Sequence, residues 1–185
     1  LVCDPFFSKN GTAEALITAA GNPEAMIFSD VIPDPPVTLE RFEQALDVSA
    51  EAIAENPDFC DFWIYRAEAL VNLDRTPDPL QCYKKALEIN PNQADTYLAL
   101  GNMSLDLCDY ELALASYKKA EALMPDAAPL PLFFAIVYCK LGQVDLALKY
   151  LPEAMKRDDD ALTLFFDVCS EAKQDSRFQD FLKLM

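Results

Sequence analysis

Apolar residues recur along this chain with helical spacing, and the segments that carry them come in pairs. Trp63, Ala67 and Leu70 stand at i, i+4 and i+7, the stripe by which an amphipathic helix meets a core. Leu80, Tyr83 and Leu87 make a second stripe. Between them lies Asp74-Arg75-Thr76-Pro77-Asp78-Pro79, and Asn90-Pro91 closes the pair. Proline and turn-forming residues at those places predict two short helices joined by a turn.

The pair then repeats. Pro57, Pro91 and Pro125 are 34 residues apart, and other columns keep the same step. Leu46, Leu80, Leu114, Leu148 and Leu182 form one, and Ala52, Ala86, Ala120 and Ala154 another. Trp63, Tyr97, Pro131 and Phe165 form a mostly aromatic column, and Ala67, Gly101, Ala135 and Cys169 a column of small residues. The small column has a steric reason: antiparallel helices approach closely only where one offers Ala or Gly to a bulky ring of the other. Proline ends each unit because it cannot continue a helix interior. Asp58, Asn92 and Asp126 follow the prolines, where a cap for the next helix is expected.

With these columns the chain resembles the tetratricopeptide repeat family. The resemblance rests on Trp63, Ala67, Leu70, Tyr83, Ala86 and Pro91, then Tyr97, Leu100-Gly101, Ala113, Tyr117, Ala120 and Pro125. Phe134-Ala135, Tyr138, Gly142, Ala147, Leu151 and Ala154 continue it. It implies an all-α fold, a right-handed superhelix of stacked antiparallel helix pairs. The expected layout is a half-unit at 38–59, full repeats at 60–93, 94–127 and 128–161, and capping helices at 162–185. Two residues depart from the family pattern. Pro79 sits where Ala is usual, which a first helical turn tolerates. Pro131 occupies the aromatic position of the third unit, so that helix is expected to start late. Residues 1–37 do not fit the period. Ala13, Leu16, Ile17 and Ala20 form a short stripe ending at Gly21, read as an N-terminal cap or linker, or as a segment folding back into the groove.

Composition narrows the function. With 15 basic against 31 acidic residues the net charge is −16, and no histidine is present. Phosphate recognition starts from Lys and Arg, so nucleic acid and anionic membranes are excluded as partners. Without histidine there are no His-based triads or His metal ligands. Only four glycines occur, and no phosphate-binding glycine loop is among them. No apolar run reaches the length of a membrane span. The six cysteines are scattered without a CxxC pair, which suggests reduced, packed thiols and a cytoplasmic location. The chain begins with Leu1, as an excised or processed piece would. No enzymatic activity, cofactor or metal is expected.

The resemblance places a concave face on the first helix of each pair. The residues it assigns there are Ile64, Tyr65, Glu68 and Asn72, then Leu98, Asn102 and Asp106, then Phe133, Ile136 and Lys140. A family subclass binds chaperone C-terminal carboxylates through Lys, Asn and Arg on this face. Ile64, Glu68, Ala99, Pro129 and Phe133 stand at the matching places, so that clamp is absent. An apolar floor with acidic edges suits an apolar, basic or amphipathic protein or peptide partner. Two rival readings are a chaperone-like protein of type III secretion translocators, and the repeat region of a larger enzyme such as a protein glycosyltransferase. A homodimer through the terminal helices is a further possibility. Glu68 and Asp106 lack the pocket and nucleophile of acid–base chemistry. Asp158-Asp159-Asp160 lacks the glycine and terminal glutamate of a calcium loop. Lys84-Lys85 and Lys118-Lys119 recur as a solvated outer face.

Overall fold

The computed structural model describes residues 39–75 and 78–184; the expected cap or linker at 1–37 lies outside them. The described secondary structure is entirely helical. Two compact units meet within one helix, the first ending at Thr96 and the second starting at Tyr97.

The first unit holds α1 (Leu39–Glu55), α2 (Cys60–Asn72), α3 (Asp78–Ile89) and the first residues of α4 (Ala94–Asp106). Helix α1 buries Phe42, Ala45, Leu46 and Ser49, an i, i+3, i+4, i+7 stripe. Against it α2 buries Ala67, Ala69 and Leu70, and α3 adds Pro79, Cys82, Tyr83, Ala86 and Leu87. Pro79 is the second residue of α3, where its missing N–H leaves no bond unmade. Arg66 Nη1 donates to Leu46 O at 3.2 Å, which ties α2 to the α1 stripe.

The second unit continues α4 and adds α5 (Tyr110–Leu123), α6 (Leu130–Lys140), α7 (Val144–Arg157), α8 (Ala161–Val168) and α9 (Ser176–Lys183). A 3-10 turn at Ser170–Gln174 joins α8 to α9. Helix α6 buries residues on every side, from Leu130 to Cys139 with Phe133 alone half-buried, because it packs against α5, α7 and α8. It starts two residues after position 128, where the 34-residue spacing places it, with Pro131 in its first turn. That is the late start that Pro131 predicts.

Small residues are what let these helices touch. Ala67, Ala135 and Cys169 are 0 % exposed, and Gly101 is buried with them. A Cβ at Gly101 would overlap Cε1 of Tyr117 and lie 2.7 Å from Cδ1 and 2.9 Å from Cζ. The ring cannot retreat. It stacks on Phe133 with 5.0 Å between centroids and meets Phe134 edge-on at 6.3 Å.

The turn inside each full repeat shares one backbone geometry. Asp74, Cys108 and Gly142, 34 residues apart, are left-handed, with φ of 55°, 59° and 72°. In each case the next N–H reaches back five residues: Arg75 to Leu70 O, Asp109 to Ser104 O and Gln143 to Tyr138 O, at 2.8 to 3.0 Å. The left-handed residue's own N–H bonds three residues back, to Val71 O, Leu105 O and Cys139 O, and the two bonds together are the Schellman motif, which satisfies the last carbonyls of a helix. Only Gly142 adopts that conformation without a Cβ penalty.

The capping expectation is corrected. The residue before α2 is Phe59 and that before α6 is Pro129, neither with a side-chain cap, so Asp58 and Asp126 do not cap these helices. Asn92 is instead the donor, its N–H bonding Asn90 Oδ1 at 3.1 Å. Side-chain caps are made by Asp109, which accepts from Leu112 N–H at 3.1 Å, and Asp175, which accepts from Arg177 N–H at 2.8 Å.

Two substitutions test this packing. Gly101→Ala gains about 1 kcal/mol of helix propensity but forces a methyl into a fixed ring, at a cost of about 1–3 kcal/mol. A lowered urea midpoint is expected; an unchanged or raised one would contradict the close approach. Cys108→Gly relieves the left-handed strain and is expected to raise stability by about 1 kcal/mol in the same assay.

Candidate functional site

The residues assigned to the binding face lie on α2 in the first unit and on α4 and α6 in the second. On α2, Ile64, Tyr65, Glu68 and Asn72 are all half-buried. Asn72 Nδ2 donates to Glu68 O at 2.8 Å, which anchors the last turn of the helix. Burial pushes the Tyr65 hydroxyl upward in pKa, and the carboxylates of Asp61 and Glu68 push the same way. An aromatic side chain with its edge among acids is therefore held neutral. It can donate a hydrogen bond or pack against a partner, and it brings no charge of its own.

On α4, Leu98 and Asn102 are half-buried and Asp106 is exposed. Leu98 packs at the edge of the second unit's core. The Tyr117 hydroxyl donates to Asn102 Oδ1 at 2.8 Å, so the amide is oriented from inside the fold. Burial, then the charge of Asp106, pushes the Tyr117 phenol far up. Desolvation also raises Asp106, although its surface is open on one side.

On α6 the assigned residues divide. Phe133 is half-buried, its ring stacked on Tyr117. Ile136 is 4 % exposed and belongs to the core. Its assignment to the face is corrected, because α6 is enclosed where the same column of α2 and α4 carries half-buried Glu68 and Asn102. Lys140 Nζ contacts Glu171 Oε1 at 2.8 Å. Burial works against the ammonium, but the bond to Glu171 and the charges of Cys169, Glu171 and Tyr110 together outweigh it and hold the pKa up. The same bond holds the Glu171 carboxyl below its usual range.

The structure also joins residues that the sequence pattern leaves apart. Ligand atoms of Cys139, Cys169 and Glu171 lie within 4.8 Å of one another. No CxxC spacing signals this, because the two cysteines come from α6 and the end of α8. The described residues form a shallow apolar depression lined by Pro152, Met155, Lys156 and Phe181, on α7 and α9 rather than on the first helices.

The buried phenol gives a pH prediction. Tyr117 holds its proton more tightly when folded than when unfolded, so its contribution to stability is complete below about pH 10. It is lost as pH rises through the folded value, because the unfolded chain releases the proton first. Tyr117→Phe is expected to lower stability at neutral pH by about 1 kcal/mol and to flatten its fall at alkaline pH. Urea midpoints measured across that range check both effects.

Residues 82–122, which span α3 to α5, match the family model described as tetratricopeptide repeat. No curated protein matches the chain at a significant level. Among solved structures, a crystal structure of MamA is 18% identical, with a TM-score of 0.64 over 78% of this chain and 90% of that one. A MamA D159K mutant is also 18% identical, with a TM-score of 0.59 over 82% and 78%. YrrB, titled a TPR protein with an unusual peptide-binding site, is 25% identical, with a TM-score of 0.54 over 68% and 75%. Residues 82–122 thus match a tetratricopeptide repeat, and the described residues share the fold of these solved structures.

Proposed function

We propose that this chain is a binding scaffold that holds a basic or amphipathic peptide or helix against the first helices of its repeats, and performs no chemistry. The observation that carries the reading recurs in each unit, as Ile64 and Tyr65 in the first and Leu98 and Phe133 in the second. These large apolar side chains remain half-buried on α2, α4 and α6, while the small-residue columns are sealed. Side chains of this size that stay partly in water are the usual anchors of peptide recognition. Asp61, Glu68, Asp95 and Asp106 border them on the same helices, and the chain carries −16 overall, so a cationic segment is drawn in and an acidic one repelled. The peptide-binding site named for YrrB supports a peptide as the ligand class. The five described cysteines are free thiols, which supports a reducing, cytoplasmic setting.

Fluorescence anisotropy with labelled peptides of equal length tests this reading. A basic amphipathic helix is expected to bind with an affinity that falls as salt rises, and an acidic counterpart is not. Tyr65→Ala and Leu98→Ala are each expected to weaken binding about tenfold, roughly 1.4 kcal/mol, with circular dichroism unchanged. These two are preferred to Phe133→Ala, since Phe133 also supports Tyr117. Equal binding of both peptides, or unaltered binding by both variants, would exclude the assignment.

A further inference from the structure

We infer that Cys139, Cys169 and Glu171 form a binding site for a borderline-soft divalent cation of the zinc class. The three donor atoms come from α6, the end of α8 and the 3-10 turn that follows it, and they lie within 4.8 Å of one another. Two thiolates on one tetrahedral zinc stand roughly 3.8 Å apart, given Zn–S bonds of about 2.3 Å. The donors therefore need side-chain adjustment and no rearrangement of helices.

The surroundings are those of a built site. Both sulfurs are buried, Cys139 at 9 % and Cys169 at 0 % exposure. The Glu171 side chain is 57% exposed and provides the way in from solvent. Lys140, next to Cys139 in sequence, holds Glu171 Oε1 at 2.8 Å. A ligating carboxylate is commonly oriented by such an outer hydrogen bond. Charge also balances: two thiolates and a carboxylate are offset by one ammonium and one dication, as burial of charge requires. Binding releases the two thiol protons to solvent and changes no oxidation state. The fourth tetrahedral position is left to water or to a donor from a partner. The missing histidines remove imidazole ligands and leave thiolate ligands untouched. The site is independent of the peptide-binding reading.

The test uses the full chain, reduced and stripped with a chelator, with Co2+ as a spectroscopic probe. A thiolate-to-cobalt charge-transfer band is expected, saturating at one equivalent and bleached by Zn2+. Cys139→Ser and Cys169→Ser should abolish it, while Cys108→Ser keeps it. Glu171→Gln, at an exposed position, should leave the fold intact and weaken cobalt binding about tenfold or more. If Cys169→Ser fails to fold, Cys139→Ser and Glu171→Gln decide the question. The proposal is overturned by the absence of a band, by a band that survives Cys139→Ser, or by unchanged affinity in Glu171→Gln. A Cys139–Cys169 disulfide that forms in air as fast with cobalt as without it overturns it too, since bound thiolates would be protected.

Discussion

Two helices of a repeat can meet only where one of them has almost no side chain, and the rest of the fold depends on that contact. At Gly101 the requirement is strictest, since even a methyl would enter the Tyr117 ring. The ring is then enclosed by Phe133 and Phe134, and its hydroxyl reaches Asn102. Two residues of the proposed binding face, Asn102 and Phe133, are thus positioned by one buried phenol. The face inherits its rigidity from the core, which lowers the ordering cost of binding a partner.

The turns show the same priority of packing over local preference. Asp74 and Cys108 take the left-handed conformation that suits only Gly142. Their helices must end in the Schellman geometry so that the second helix of the pair returns antiparallel to the first. Packing of residues such as Tyr83 and Tyr117, 4 % and 0 % exposed, outweighs the strain of a single residue. Asp109 then begins the next helix directly, with its side chain on Leu112 N–H.

Electrostatics divides the surface from the interior. The excess of acids lies along the helices, and where it meets aromatic side chains it holds their protons in place, as Asp61 and Glu68 do at Tyr65. The few cations are used locally. Lys140 is committed to Glu171, and Arg157 Nη1 donates to Ala127 O at 3.1 Å, bracing the loop before α6. A chain of this charge attracts cations of every size, and the two proposals above differ in scale: a peptide on the half-buried apolar side chains, and a metal ion between two buried sulfurs.

The helix pairs, the 34-residue step, the small-residue column and the late start of α6 at Pro131 were all legible in the sequence. Each is a property of one helix or of one fixed spacing, so the order of residues along the chain determines it. Tertiary structure alone decided the burial of Ile136, the side chains that cap the helices and the left-handed turns at Asp74 and Cys108. The same column position is half-buried at Glu68 and Asn102 but sealed at Ile136, because burial depends on how many neighbours enclose a helix. The meeting of Cys139 with Cys169 and Glu171 was likewise out of reach of the pattern. Residues thirty positions apart become neighbours through the packing of α6 on α8, and no spacing rule within a single helix records that distance.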